Sequence, residues 1–530
     1  MGIEPDATRK RGPVSSGAPG LCADAADTAA GRGTGLDGKL TRRSVLGGLA
    51  AAAVPGAAFG QAAVMRPVPR PASSAAATVA APRLTGADDL VSEAALGGAV
   101  AFAVADLATG AMIDGRGDDV PMPPASTAKV ITTLFALTRL PRDHVFETRL
   151  LVTGPVTGGR VAGDLVLAGG GDPTISTDNL GDIAARLRAA GVRGVDGRFL
   201  VAGGALPYLR AIDRAQKVHF GYNPSVSGLN VNFNRVNMVW TRGPDGPLLS
   251  MDARGERFVP PVHVARARVA DRETPVFTYS DLDGLEDWTV ARPALVRDGS
   301  RWLPVRHPER YAGDVFRTLA KAQGIDMPAA LVADAVPDGQ TLVTLKSDPL
   351  TTVIRDMLKY STNLTAEAVG MAAGLKAGAT GHDGTVARMR DWFTAATGGA
   401  RADLVDHSGL GGASRMTPAA MLSALTLLGP KAGLRGLMKD IPLGEKGKPV
   451  PRYRVQAKTG TLNFVSSLAG YMTTANGREL AFAIFTGDPA RRDAAMADDS
   501  ERPVGSVSWT KRSKRLQGQL LERWAAMADA

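Results

Sequence analysis

The texture of the chain changes twice along its length, and this limits the fold more than any single residue does. An apolar helical run, Val130 to Leu137, closes the first stretch. From about Leu150 short alternating runs broken by glycine take over, such as VAGDLVLAGGGDPTIS (Val161 to Ser176) and LNVNFNRVNMVW (Leu229 to Trp240). Helical texture returns after about Glu309, with DVFRTLAKAQGI and then LTTVIRDMLK. Period-two alternation punctuated by glycine reads as strands, and the longer apolar period reads as helices. A chain of 530 residues is also too long for one compact core. The expectation is an α+β protein in which a β-rich region, 150–305, with a helix near Leu180 to Ala190, lies between two flanking parts, 84–149 and 306–530.

Smaller signals fill in the flanking parts. Ala99 to Asp106, Leu107-Ala108-Thr109-Gly110 and Ala111-Met112-Ile113 read as strand, turn and strand. Near the end, SSLAGYMTT and LAFAIFT flank Ala475-Asn476-Gly477-Arg478, a hairpin signal because Asn-Gly suits the positive-φ turn that two antiparallel strands need. A last helix, Lys514 to Met527, sets Leu516, Leu520, Leu521 and Trp524 on one side, suited to packing on the sheet.

The amino terminus reads as an address. Thr41-Arg42-Arg43-Ser44-Val45-Leu46-Gly47 places two arginines before a moderately apolar run, Val45 to Ala58, that ends in small residues from Ala57 to Ala63. This is the layout of a twin-arginine export signal over 1–62, cleaved near 57–63. The run is too short and too rich in Ala and Gly for a membrane anchor. A Pro/Ala linker, 63–83, follows, and the fold is expected to start near Leu84. No later segment reaches membrane-spanning length, so the expected location is the periplasm, with no integral membrane segment in the mature chain. Residues 1–62 hold seven Lys and Arg and five Asp and Glu, so the remainder keeps +8 of the full +10. That balance favours an anionic partner; export points to the cell wall and away from nucleic acid. Arg491-Arg492 and the Lys511 to Arg515 cluster read as solvated faces. The single cysteine, Cys22, allows no disulfide framework or thiolate metal site, and the six histidines are scattered without helical metal spacing. No metal and no cofactor are expected.

Chemistry enters with PPASTAKVITTLFAL, Pro123 to Leu137. If a helix begins at Ser126, Lys129 lies one turn away on the same face, and the helix N-terminus favours negative charge on the serine oxygen. A lysine is a useful base only when neutral, which burial and a neighbouring cation can arrange. Alone the pattern is weak; Ser508-Trp509-Thr510-Lys511 repeats it in a polar basic stretch with no apolar helix behind it. Ser361-Thr362-Asn363 falls in a break between LTTVIRDMLK and TAEAVGMAAG, where it can present a hydroxyl for proton relay and an amide to grip a peptide carbonyl, or simply cap a helix. Lys458-Thr459-Gly460-Thr461 follows the extended run Tyr453 to Ala457. On an edge strand Gly460 would let a substrate backbone pair as an added strand, Lys458 would supply a second cation, and Thr459 and Thr461 would bind a carboxylate. The bland alternative is a surface turn. Three motifs in order and in suitable contexts carry weight that each alone lacks.

With this triplet the chain resembles the penicillin-recognising serine acyl-transferases, penicillin-binding proteins and serine β-lactamases. The long gap between Ser126 and Ser361 narrows the resemblance to the D-Ala-D-Ala carboxypeptidase/endopeptidase family of low-molecular-mass class C penicillin-binding proteins. GDLVLAGGGDPT (Gly163 to Thr174), SGLNVNFN (Ser227 to Asn234), YSTNLTAEAV (Tyr360 to Val369) and DHSGLGGASRMTP (Asp406 to Pro418) agree with it, over about residues 90 to 490. The resemblance implies a transpeptidase fold like that of penicillin-binding proteins and β-lactamases, an antiparallel sheet flanked by helices with inserted β-rich domains. It implies a serine D-Ala-D-Ala carboxypeptidase or D-Ala-diaminopimelate endopeptidase acting on peptidoglycan stem peptides and cross-links. Ser126 would be the nucleophile and Lys129 the base; Ser361, Asn363 and Lys458 would complete the catalytic set, and Thr459, Gly460 and Thr461 would bind substrate. The backbone N–H groups of Ser126 and Thr461 would form the oxyanion hole, and β-lactam antibiotics would acylate Ser126. Two departures stand out. His407 replaces a small residue, and Gly411-Gly412-Ala413-Ser414 replaces a Ser-Arg-x-Asn run; a lone histidine in a Gly-rich loop is given no role. A β-lactamase would share the triplet, but the insertion argues against it and no separate Glu-based deacylation motif is present. An esterase of this fold would centre on a tyrosine, and Tyr360 is out of register. A non-catalytic wall-binding scaffold would not need the intact triplet.

Overall fold

A computed structural model describes residues 84–442, 452–497 and 501–530. The expected export signal and the Pro/Ala linker lie outside the described residues. Residues from Thr85 to Ala530 gather into one unit built around an antiparallel sheet. Its strands are β1 (Ala99–Asp106), β2 (Met112–Arg116), β3 (Lys439–Asp440), β4 (Arg454–Leu462), β5 (Val465–Thr473) and β6 (Glu479–Gly487), in the order β3-β4-β5-β6-β1-β2. Alternation on β1 explains how the sheet is covered. Ala101, Ala103 and Ala105 face one core, small enough to let helices lie close; Phe102 and Val104 face the other. On the first face lie α1 (Lys129–Arg139), α2 (Leu350–Tyr360), α3 (Asn363–Lys376) and α4 (Gly381–Ala396).

The second face is closed by α5 (Ser506–Asp529), which buries Trp509, Leu516, Leu520, Leu521 and Trp524 against β1, β5 and β6. Both indoles are satisfied: Trp509 Nε1 donates to Leu96 O and Trp524 Nε1 to Asp114 Oδ2. Burying each such ring stabilises by about 1.5–3 kcal/mol. The helix starts earlier than its apolar pattern predicts. Ser508-Trp509-Thr510-Lys511 therefore sits inside it, with Trp509 in the core and Ser508 Oγ bonded to Gly505 O at 2.9 Å, so an apolar face does stand behind this second Ser-x-x-Lys.

The β-rich region builds a second core. A five-stranded sheet runs in the order Ala330–Val332, Phe199–Ala202, Leu165–Ala168, Glu147–Val152 and Gln340–Lys346, and three three-stranded sheets accompany it. The helices Thr177–Ala189 and Pro308–Ala322 pack on these strands. This core draws on residues from Leu150 to Val343, so a helix and two strands that follow residue 306 in sequence are packed within it. The run Leu229 to Trp240, expected to be extended throughout, is so only from Arg235 onwards. Asn232, Phe233 and Asn234 adopt positive φ, and the Asn230 and Asn234 amides bond to Ser227 O and Ser225 O in place of strand partners. A small hydrophobic cluster joins this region to α3: Leu206, Ile212 and Val226 pack on Leu364, Ala368 and Met371 of α3 and on Leu410.

Candidate active site

Ser126 lies in a 3-10 turn, Ala125–Ala128, and the α-helix proper begins at Lys129. The helix therefore does not start at the serine, as the sequence suggests. The tighter turn stacks residues three apart more directly, and Lys129 Nζ reaches Ser126 Oγ at 3.0 Å. Ala125, just before the serine, is held at φ +47, a conformation that costs an L-residue free energy and persists only where its surroundings enforce it. Those surroundings include Gly409, whose backbone crosses Ala125 O so closely that a Cβ would overlap it.

Lys129 is fully buried, and its amine has more than the serine to bond. It donates to Asn363 Oδ1 at 2.8 Å and to Ser408 O at 2.6 Å. Ser361 and Asn363 arrive where α2 ends and α3 begins: Ser361 closes α2 at φ +62, its N–H bonded to Met357 O, and Asn363 is the first residue of α3. The Asn363 amide nitrogen donates to Tyr222 O at 2.9 Å, in the segment that the β-rich region sends over α3. One of the two donors expected to meet a peptide is thus already engaged.

Lys458 comes from β4, also buried, and donates to Ser361 Oγ at 2.8 Å and to Thr459 O at 2.7 Å. β3 covers the outer edge of β4 at Gln456 and Ala457, and among the described residues no strand continues that cover along Lys458 to Leu462. Gly460 serves a purpose the sequence does not reveal. The missing side chain faces the serine turn, where a Cβ would stand 3.0 Å from both Ser126 N and Pro124 O and would overlap Ser467 Oγ. Thr459 is half-buried and Thr461 exposed beside it. All eight residues singled out in the sequence thus lie on the nucleophile turn, the α2–α3 junction or β4, joined through Lys129–Asn363, Lys458–Ser361 and the Gly460–Ser126 approach.

Four further groups lie behind this cluster. Glu367, one turn after Asn363 on α3, has no exposed surface; it pairs with His382 Nε2 at 3.0 Å and accepts from His407 N–H at 3.2 Å. Asp406 accepts from the N–H groups of Ser408, Gly409 and Gly411, and burial together with the Glu367 charge pushes its carboxyl up to about 6. His407 is not incidental: it is buried on α3 and α4, and burial pulls it down to about 4. Its Nε2 faces Thr385 Oγ1, whose own hydrogen goes to His382 O, so the His407 proton resides on Nε2. A lone acid in the apolar run TAEAVGMAAG was the legible sign of this cluster. Arg492, expected on a solvated face, is buried with its guanidinium against Gly412, where burial lowers its pKa. Among the described residues no three His, Cys, Asp or Glu side chains converge as a metal-ligand set.

A serine held by a buried lysine one turn on, with a second serine bonded to a lysine on a strand of an antiparallel sheet flanked by helices, is an arrangement suited to serine acyl transfer. The chain belongs to the D-Ala-D-Ala carboxypeptidase 3 (S13) family, whose pattern it matches over residues 85–505. It is 28% identical over 466 residues to a carboxypeptidase of Mycobacterium tuberculosis, covering 81% of this chain and 85% of that one. It is likewise 28% identical over 456 residues to a D-alanyl-D-alanine carboxypeptidase of an Actinomadura species, covering 78% and 83%. The crystal structure of penicillin-binding protein 4 from Haemophilus influenzae superposes with a TM-score of 0.66 at 21% identity, over 82% of this chain and 99% of that one, and shares its fold.

Proposed function

We propose that this S13 peptidase cleaves the terminal D-Ala-D-Ala bond of peptidoglycan stem peptides through an ester on Ser126. Lys129 takes the Ser126 proton as Oγ bonds to the carbonyl carbon of the penultimate D-Ala. The C–N bond then breaks, and a proton passes through Ser361 and Lys129 or Lys458 to the leaving amine. Water attacks the ester, the acid departs and Ser126 Oγ regains its proton. The Ser126 and Thr461 N–H groups stabilise the oxyanion, an assignment favoured by the approach of Gly460 to Ser126 N. Thr459 and Thr461 bind the terminal carboxylate. β-Lactams enter the same path because their strained amide resembles the D-Ala-D-Ala bond. No step calls on a metal or organic cofactor.

The observation that carries this reading is the doubled lysine–serine pairing, Lys129 to Ser126 at 3.0 Å and Lys458 to Ser361 at 2.8 Å. Endopeptidase cleavage of D-Ala-diaminopimelate cross-links is a second reading, favoured because among the described residues no strand pairs with the outer edge of β4 from Lys458 onwards, where a longer peptide can add as a strand. The chain acts in the periplasm on this account, exported through its twin-arginine signal; no described helix is long and apolar enough to cross a membrane. Incubation with a stem pentapeptide and, separately, with a cross-linked dimer tests both readings. Free D-Ala from the first is the expected result, and monomers from the second establish the endopeptidase. Neither product from folded protein would overturn the assignment.

A further inference from the structure

The Lys129 amine is held from behind by backbone. Two α1 side chains one turn apart clip successive carbonyls of the 406–411 loop: Lys129 Nζ bonds Ser408 O, and Thr132 Oγ1 bonds His407 O at 2.6 Å. The other side of that loop is fixed by Glu367, which receives His407 N–H at 3.2 Å and is itself held by His382 at the start of α4. His382 is mostly buried, its Nδ1 3.3 Å from the exposed Asp383 carboxylate. The chain of contact thus runs His382, Glu367, the 407–408 backbone, Lys129. Lys129 faces it from α1, Glu367 from α3, His382 and Asp383 from α4, Asp406 and His407 from the loop, and Lys458 from β4.

We propose that Glu367 and His382 form a positioning pair for the base: Glu367 anchors the 407–408 backbone that orients the Lys129 amine, and His382 cancels the Glu367 charge behind it. This rests on the reading of Lys129 as base. A fully buried carboxylate must be paired or it favours any nearby cation. Burial pulls the His382 imidazole down, but the Glu367 hydrogen bond and charge outweigh it and hold it up at about 9. Burial likewise opposes ionisation of Glu367, and its bond to His382 wins, keeping the carboxyl below its usual range. The pair is therefore ionised and net neutral around neutral pH.

The test is the second-order rate of acylation of the full-length protein by benzylpenicillin, from about pH 6 to about pH 10, where a lysine base would lose its proton. His382→Gln should leave an uncompensated anion, favour the ammonium form of Lys129 and move the acid limb up by about one unit. Glu367→Gln should not move it up, and the double variant should return it close to wild type. His382→Lys, which keeps a cation in a site that touches solvent, should preserve the wild-type limb and tests the sign even if Glu367→Gln fails to fold. Asp383→Asn should leave the profile unchanged. If His382→Gln lowers the rate equally at every pH, the pair is only structural and the inference is wrong. A wild-type profile with no acid limb, or acylation of a Lys129→Met variant at the wild-type rate, would instead remove the reading of Lys129 as base and the inference with it.

Discussion

A buried amine is tolerated only when its polar groups find partners, and on the proposed reading the partners of Lys129 are what make it a base. Two fixed acceptors, Asn363 Oδ1 and Ser408 O, take the two hydrogens of the neutral amine and leave its lone pair for the half-buried Ser126 hydroxyl. Lys129→Met keeps the apolar stem and removes the amine, so acylation by benzylpenicillin in stopped flow should fall by about 10²–10⁴-fold with the fold retained; a loss under tenfold would mean another group takes the proton. Gly460→Ala should slow acylation and destabilise by about 1–3 kcal/mol, since a Cβ would press on Ser126 N and Pro124 O; denaturant unfolding measures the second effect. Ser126 and Lys129 were legible because a relation between residues three apart is local. Ser408 was not, because it contributes a carbonyl, and any residue type can do so.

At the scale of elements, legibility followed periodicity. β1, α2 and the β5–β6 hairpin match their sequence patterns closely because apolar spacing and an Asn-Gly turn specify them. Leu229 to Trp240 deceived because alternating Asn and apolar residues imitate a strand, whereas the Asn side chains bond locally and accept positive φ. Packing between α3 and the 406–411 loop was likewise invisible: Gly370 exists to admit His407, and a Cβ there would overlap the imidazole. Gly370→Ala should therefore cost about 1–3 kcal/mol, and adding His407→Ala should recover part of it. Additive losses in thermal unfolding would show that the two residues do not compete for space.

For the molecule as a whole, we propose that the β-rich region is an insertion that furnishes one wall of the active site, on the strength of Tyr222 O at Asn363 and Leu206, Ile212 and Val226 on α3. A second tie comes from the carboxy-terminal part of the chain: Glu501 reaches His219 at 2.8 Å and Arg301 at 2.5 Å. Burial opposes this carboxylate, but the His219 and Arg301 contacts overcome it and hold it at about 2. A depressed carboxyl stabilises the fold above its unfolded pKa and loses that contribution as pH falls towards the folded value. Thermal stability should therefore decline between about pH 4.5 and about pH 2, and Glu501→Gln should flatten part of that decline; an unchanged slope would remove the tie. The insertion was legible as texture, whereas its contact with α3 was not, since it joins residues far apart in sequence. The central claim is that Ser126 is the acylated nucleophile, and intact mass of the full-length chain mixed with benzylpenicillin tests it most directly. One adduct per chain, carried on the peptide containing Ser126 and absent from Ser126→Ala, is the predicted result. An adduct that survives in Ser126→Ala, or drug consumed while the protein stays unmodified, would contradict the account.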